Sequence, residues 1–234
     1  MGLGAVSYAL AIENKPAKVI VTDIDDAKLA RANEVISVEE AKEKGVELIY
    51  VNTAKMDDPV NGLKALSVDG KGFDDVFIFA PNEEMVTYGV KMLAFDGCLN
   101  FFSGPADQEF SSRVNFYNIH YNSTHFVGTS GGNTEDMKQS IELIESKTVN
   151  VAKIATHILG LDHAVETTKA LPELEGSKKI VYTHKKFTIN RGWTNSMKTS
   201  DDEYIRELKS IVERNGNLWS AEAERYFIQN APEI

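Results

Sequence analysis

Two hydrophobic patterns alternate through the first 147 residues of the chain. Short apolar runs bounded by polar residues or glycine are typical of buried parallel strands, whereas apolar residues at every third or fourth position indicate one face of a helix. The runs predict strands at Lys18–Asp23, Val46–Val51, Asp75–Ala80, Gly97–Ser103 and Thr124–Thr129. The spacing of apolar residues between these runs predicts helices at Leu3–Ile12, Asp26–Val35, Pro59–Leu66, Asn82–Phe95 and Asn133–Glu145. Such alternation favours the α/β class, with a doubly wound parallel sheet.

The rhythm changes after residue 147. Val151–Ile158 is predicted to be extended, Leu161–Leu171 helical and Lys179–Thr183 extended. A polar stretch, Asn190–Thr199, precedes two predicted helices, and Ser200–Glu203 has the spacing of a capping box at the first of them. The chain is therefore expected to have three parts, 1–148, 149–190 and 191–234.

Composition narrows the class of protein. The net charge of −10 argues against binding to nucleic acid or to an anionic membrane surface. Cys98 is the single cysteine, so neither an intramolecular disulfide nor a thiolate zinc cage is expected. No apolar run approaches the ~20 residues that span a bilayer, and the first residues lack a secretory pattern, which predicts a cytoplasmic protein.

The first helix and the strand after it indicate a nucleotide site. In dinucleotide-binding folds a glycine-rich turn leads into a helix whose amino end holds the pyrophosphate, and an acid about 20 residues on binds the adenosine ribose. Gly2 and Asp23 have this spacing, and Lys28 is close enough to reach the ribose. An acid there favours NAD over NADP. However, glycines also serve tight packing, Asp23 could be an ordinary strand-end acid, and methyltransferases carry a similar acid.

Longer segments resemble a known family. They read MGLGAVSYALA, KVIVTDIDDAKLARA, GFDDVFIFAP, DGCLNFFSGP, KIATHILGLDHAVETTKAL and KKIVYT. In this order, over residues 1–185, they resemble the medium-chain, alcohol-dehydrogenase-like NAD(P)-dependent dehydrogenases. The resemblance implies a Rossmann-type cofactor domain at 1–148, a segment returning to a catalytic domain at 149–190 and a helical extension at 191–234.

The stretch FYNIHYNSTHFVGTSGGNTEDMKQSIELI most resembles the sorbose-phosphate reductases of that family. This implies interconversion of a ketose phosphate and a polyol phosphate, L-sorbose 1-phosphate and D-glucitol 6-phosphate, with NAD, or NADP, as cofactor. By position, the resemblance assigns the pyrophosphate and ribose to Gly2, Leu3, Asp23 and Lys28, and the adenine-to-nicotinamide track to Ala80, Pro81, Ser103 and Gly104. Thr129–Gly131 would lie near a strand that often pairs subunits, so a homo-oligomer is expected.

The sequence departs from the family at its start. The first sheet strand, two fingerprint glycines and the catalytic domain with its zinc ligands would precede Met1, so we expect an N-terminally shortened form. Zinc would belong to the intact family member, and this chain alone should be inactive. Without a first strand, Lys18–Asp23 and Phe73–Ala80 would each expose an apolar edge that a rearrangement or a partner closes.

Other polar residues give weaker indications. His120 and His125 are five apart, which is not the helical spacing of a zinc pair, so no metal site is predicted in the chain. The lysines at 178, 179, 185 and 186 could attract a substrate phosphate or form a solvated face. A non-catalytic nucleotide-binding or regulatory module remains the alternative to a dehydrogenase.

Overall fold

A computed structural model describes residues 1–174, 176, 178–189 and 202–234. The contacts between residues divide the chain into two compact units, Met1–Val149 and Asn150–Ile234. The predicted stretch 190–199, and Ser200 with Asp201 of the predicted capping box, lie outside the described residues.

The first unit alternates strands and helices as the hydrophobic pattern predicts. Its strands are β1 (Lys18–Asp23), β2 (Glu47–Asn52), β3 (Phe73–Ile78), β4 (Leu93–Phe101) and β5 (His125–Gly128). Its helices are α1 (Gly2–Ala9), α2 (Asp26–Val35), α3 (Val38–Glu43), α4 (Pro59–Ala65), α5 (Glu83–Met92), α6 (Phe116–Tyr121) and α7 (Thr134–Glu145). A short 3-10 helix, Thr53–Lys55, follows β2.

The strands of this unit form two parallel sheets. β1 pairs with β2 in a register that joins Lys18 to Glu47 and Asp23 to Asn52. β4 lies between β3 and β5 and is parallel to both. Among the described residues β1 and β3 do not pair with each other, so each has one edge without a neighbouring strand, as expected from the sequence. The fold class is therefore confirmed as α/β with parallel strands.

Each sheet has its own hydrophobic core. Val6 of α1 and Leu10, the residue after that helix, pack with Leu48 of β2 and with residues of α2 and α3. On the other sheet, Val86 and Val90 of α5 pack with Ile78 of β3 and Leu99 of β4. One face of each helix is thereby buried, which is the stabilisation that a short amphipathic helix needs.

The second unit combines a small sheet with helices. Its elements are a 3-10 helix (Val151–Ile154), β6 (Ala155–Gly160), a second 3-10 helix (Leu161–His163), α8 (Ala164–Ala170), β7 (Lys178–Tyr182), β8 (Thr188–Ile189), α9 (Glu203–Arg214) and α10 (Ala221–Asn230). β6 pairs with β7 in parallel and with β8 antiparallel. Residues from β6, β7, α9 and α10 share one core, in which Ile158, Leu208 and Phe227 are fully buried.

One local prediction is corrected, and several short elements were not predicted. Residues 151–154 form a 3-10 helix rather than a strand, because the Asn150 side chain accepts a hydrogen bond from the Ala152 amide and caps that turn. The described part of the chain also has four elements that the pattern did not predict, α3, α6, β8 and the 3-10 helix Thr53–Lys55. No helix among the described residues is both long and apolar enough to cross a membrane.

Candidate functional site

The amino end of α1 lies close to the carboxyl end of β3. A Cβ placed on Gly2 would lie 3.8 Å from Cδ2 of Phe79, the residue after β3. α1 also packs on the other sheet, where Leu3 joins the cluster that includes Val19 and Val21 of β1. Only residues 10–17 separate the end of α1 from the start of β1. A short connection of this kind between a helix and the strand on which it packs directs the amino end of the helix towards the carboxyl end of that strand. Ligands of open parallel sheets bind at this edge.

Asp23 is the last residue of β1 and is half-buried. Its Oδ1 accepts hydrogen bonds from the amides of Ile24 at 2.8 Å and Asp25 at 3.0 Å. These bonds fix the carboxylate against the turn that leads into α2. Oδ2 makes no hydrogen bond or ion pair with the described residues, so one acceptor oxygen remains available to a ligand.

The first turn of α1 offers hydrogen-bond donors. No side chain caps this helix, and its first turn contains no acidic residue. The amides of Gly2 and Leu3 have no acceptor among the described residues, whereas those of Gly4 and Ala5 bond to the carbonyl of Met1. A helix end of this kind carries a partial positive charge and suits a phosphate group.

The loops after β3 and β4 lie side by side. Ile78 and Phe101 are register partners, and the Phe102 amide donates to the Ile78 carbonyl at 3.0 Å. The predicted residues of these loops, Ala80, Pro81, Ser103 and Gly104, are therefore brought together at one sheet edge, and all but the half-buried Ser103 are exposed. A Cβ on Gly104 would meet no atom within 4 Å, so this loop leaves room for a ligand.

Lys28 lies in the first turn of α2, close in sequence to Asp23. Its amide donates to Oδ1 of Asp25, at 3.4 Å, and the Ala27 amide donates to the same oxygen at 2.8 Å. The side chain of Lys28 is exposed and makes no ion pair with the described residues. The ammonium is thus free to turn towards the end of β1.

A polar cluster that the sequence did not indicate lies beside Asp23. Asp26 accepts a hydrogen bond from Nδ2 of Asn52 at 2.8 Å and pairs with Nζ of Lys55 at 2.7 Å. The Lys55 and Asn52 hydrogen bonds, in that order of size, lower the pKa of Asp26 below its usual value. Asn52 ends the strand beside β1, so the rule that ligands meet the carboxyl ends of parallel strands was the available signal.

A model of a known protein family matches the part of the chain that contains this site. The model described as "Zinc-binding dehydrogenase" matches residues 1–146, which is more than half of the chain. The chain belongs to the zinc-binding dehydrogenase family. The resemblance seen in the sequence is thereby confirmed.

Curated relatives agree with this assignment. L-sorbose 1-phosphate reductase of Klebsiella pneumoniae is 44% identical over 234 residues, which cover 100% of this chain and 53% of the relative. Mannitol-1-phosphate 5-dehydrogenase of Aliivibrio fischeri is 42% identical over 229 residues, covering 98% of this chain and 54% of the relative. This zinc-binding dehydrogenase chain thus spans about half the length of the curated relatives that it matches.

Solved structures share the fold. 2R,3R-butanediol dehydrogenase of Bacillus subtilis has a TM-score of 0.61 and 17% identity, covering 78% of this chain and 48% of that one. An Escherichia coli alcohol dehydrogenase complexed with the cofactor NADH has a TM-score of 0.56 and 17% identity, covering 77% and 48%. A Sinorhizobium meliloti protein bound to NADP has a TM-score of 0.53 and 15% identity, covering 72% and 46%.

The family name implies zinc, but the residues described here do not provide a zinc site. Among them, no group of three or more His, Cys, Asp and Glu side chains could hold a metal ion. His125 instead contacts Asp96, with 2.9 Å between Nε2 and Oδ1. No metal-dependent step is therefore assigned to these residues.

One lysine of the basic cluster at 178, 179, 185 and 186 is buried in this zinc-binding dehydrogenase chain. Lys185 is only 3% exposed. Its Nζ donates to the Ala231 carbonyl at 3.1 Å and to Glu233 at 3.4 Å. It is a structural lysine that ties the chain terminus to the loop before β8, and neither the solvated-face nor the phosphate interpretation applies to it.

Proposed function

We propose that this chain binds NAD at the edge formed by the amino end of α1, the end of β1 and the loops after β3 and β4. The pyrophosphate would accept hydrogen bonds from the Gly2 and Leu3 amides. The adenosine ribose would bind at Asp23, with Lys28 beside it, and Ala80, Pro81, Ser103 and Gly104 would line the path to the nicotinamide.

The chemistry of these groups supports the proposal. Two amide donors at a helix end without an acid complement an anionic pyrophosphate. Oδ2 of Asp23 has no protein partner among the described residues and can accept hydrogen bonds from ribose hydroxyls. A carboxylate at this position would also repel the 2′-phosphate of NADP, so NAD is the preferred cofactor.

The observation that carries the proposal is Asp23 at the tip of a parallel strand, together with the amino end of α1 beside the end of β3. In the bound state the nicotinamide supplies the hydride chemistry, whereas the residues of this chain bind and orient the dinucleotide. The surrounding loops would shield its reactive ring from water.

We propose further that the reaction interconverts a ketose phosphate and a polyol phosphate, namely L-sorbose 1-phosphate and D-glucitol 6-phosphate. The name of the Klebsiella relative includes the first of these sugars, and the Aliivibrio relative is named for another hexitol phosphate. The inactivity of the 234-residue chain by itself stays a prediction. NADH oxidation by this chain with L-sorbose 1-phosphate and added zinc would contradict it.

Calorimetric titration of the chain with NADH tests the cofactor site. Asp23→Asn keeps an acceptor for the Ile24 and Asp25 amides but removes the charge, so we expect NADH to bind about tenfold more weakly. Asp74→Asn, which removes an exposed carboxylate near the start of β3, is the matched control. S-adenosylmethionine should not bind. An unchanged NADH affinity in Asp23→Asn, or tighter binding of S-adenosylmethionine than of NADH, would overturn the proposal.

A further inference from the structure

Asp26 and Lys55 occupy equivalent places beyond two paired strand ends. Asp23 of β1 and Asn52 of β2 are register partners. Asp26 and Lys55 each lie three residues further along, and their side chains meet with 2.7 Å between Oδ2 and Nζ. The pair therefore sits directly beside the carboxylate proposed to bind the adenosine ribose.

The contacts of Asp26 fix it as the partner of that lysine. Asn52 donates its Nδ2 to the second oxygen of Asp26, while its own Oδ1 accepts from the Ala54 amide at 2.9 Å. Asn52 thus anchors both the carboxylate and the turn that carries Lys55. The lowered pKa of Asp26 agrees with a carboxylate that stays ionised and bound to the ammonium.

Both acidic and basic side chains lie at this edge of the sheet, and they favour different cofactors. An acid at the ribose favours the free 2′-hydroxyl of NAD, whereas a cation nearby accommodates the 2′-phosphate of NADP. This chain has an acid, Asp23, and two cations, Lys28 and Lys55, of which Lys55 is held by Asp26. More than 60% of each side chain of the pair is exposed, so solvent screens the pair and it can exchange partners.

We propose that Asp26 determines cofactor specificity by holding the ammonium of Lys55 away from the 2′-position. This inference rests on the proposed function, since it assumes a dinucleotide at Asp23. The unaltered chain also has Lys28 at this edge, with an exposed ammonium. Three carboxylates, those at positions 23, 25 and 26, outweigh its charge and that of Lys55, and NADP is rejected. Without the charge of Asp26, Lys55 is released and donates to the 2′-phosphate.

Asp26→Asn is the informative variant, because the amide still accepts from Asn52 but no longer pairs with an ammonium. We expect NADPH to bind about tenfold more tightly to Asp26→Asn than to the unaltered chain, the effect of one charge-assisted hydrogen bond. NADH affinity should change less than about twofold. Adding Lys55→Met to Asp26→Asn should abolish the gain for NADPH, because the cation is then absent.

Glu34→Gln is the matched control. It removes one negative charge from the same helix and breaks an exposed pair, Arg31–Glu34, with 3.4 Å between the charged atoms. It should leave the affinities for NADPH and NADH unchanged, which separates the role of Asp26 from a general change in net charge. Adenosine 2′,5′-bisphosphate and AMP, used as probes without nicotinamide, should repeat the pattern of NADPH and NADH.

The outcomes distinguish this inference from the proposed function. If the unaltered chain binds neither dinucleotide, the proposed function fails and this inference fails with it. If it binds NADH but Asp26→Asn gains nothing for NADPH, only the role of Asp26 is refuted. A gain that persists in the Asp26→Asn/Lys55→Met double variant also refutes it, because Lys55 would then not be the responsible cation.

Discussion

At the scale of single residues, Tyr50 links the first sheet to the helix that covers it. Its hydroxyl lies 2.8 Å from the Ile36 carbonyl and 3.2 Å from the Ala32 carbonyl, both at the carboxyl end of α2. The Ala32 carbonyl also accepts from the Ile36 amide at 2.9 Å, whereas the Ile36 carbonyl lies beyond the helical hydrogen bonds and gains its donor from this hydroxyl. Burial, followed by the charge of Glu40, raises the pKa of Tyr50 to about 12.

This shift predicts how stability depends on pH. Below pH 10, the ordinary pKa, Tyr50 is protonated in both states and its contribution is complete. Between pH 10 and about 12 the unfolded chain loses the proton first, so the free energy of unfolding falls as pH rises. Tyr50→Phe should cost about 1 kcal/mol at neutral pH and make the alkaline decline shallower. Urea unfolding at several pH values measures both effects.

The control for this prediction is Tyr117→Phe, which alters an exposed ring on α6. It should change neither the stability at neutral pH nor the alkaline decline. Some decline should remain in Tyr50→Phe, because burial and then the hydrogen bond to Glu224 also raise the pKa of Tyr182. An alkaline decline equal to that of the unaltered chain would show that Tyr50 is not the responsible group.

Residues near each other in sequence were easier to predict as a site than residues brought together by folding. Asp23 was found because it follows an apolar run and has a fixed spacing from Gly2. The Asp26–Lys55 contact joins the start of α2 to the 3-10 helix after β2, and it depends on the pairing of β1 with β2. That register depends on which strands become neighbours, and the local pattern does not contain this information.

At the scale of elements, helices that repeat their pattern were predicted well, whereas the shortest helices were not. The helix predicted at Asp26–Val35 has those bounds in the structure, and Asn133 caps α7 through a complete capping box. α3 and α6 have six residues each, too few to repeat a helical pattern more than once. Ser37 and Asn115 start them through side-chain caps, which are also common turn residues and so gave an ambiguous signal.

Two glycine substitutions should have opposite effects on the free energy of unfolding, because only one of the glycines lies where β3 and β4 approach closely. A Cβ on Gly97 would lie 2.8 Å from the Phe73 carbonyl oxygen, where the register between these strands shifts. Gly97→Ala should therefore lower the free energy of unfolding by about 1–3 kcal/mol. A Cβ on Gly4 of α1 would meet no atom within 4 Å, so Gly4→Ala should raise it by up to about 1 kcal/mol.

Chemical denaturation of both variants measures this contrast. The backbone at Gly97 cannot move away without breaking the β3–β4 pairing, whereas α1 gains a residue that favours helix. Equal effects of the two substitutions would mean that the tight contact at Gly97 is not present in solution. A loss of stability in Gly4→Ala would indicate that α1 approaches another group more closely than described.

At the scale of the whole molecule, the alternation of elements was enough to predict the class of fold. Runs such as Lys18–Asp23 are apolar on both faces, which fits strands between helices rather than strands with one face in water. The sequence also predicted that β1 and β3 would each keep an open edge, and in the described part of the chain they belong to separate sheets. Whether the chain forms homo-oligomers stays a prediction.

The open edge of β3 carries aromatic side chains. Phe77 is 53% exposed and stacks with Phe79, which lies edge-on to Phe102. An apolar strand edge with unpaired amides and carbonyls is a template for pairing with another chain, and a lysine on such an edge opposes that pairing. Phe77→Lys should therefore weaken concentration-dependent self-association, as measured by sedimentation velocity, without lowering the thermal stability of the monomer.

Phe95→Lys is the control that separates pairing at the open edge of β3 from general surface hydrophobicity as the cause of self-association. Phe95 is 71% exposed but lies in the irregular first part of β4, before the residues that pair with β5, so its substitution adds the same charge away from the open edge of β3. If open-edge pairing drives association, Phe77→Lys disperses the assemblies and Phe95→Lys does not. Equal dispersal by the two variants would assign association to general surface hydrophobicity. Dispersal by Phe95→Lys alone would place the contact on the β4 side of the sheet.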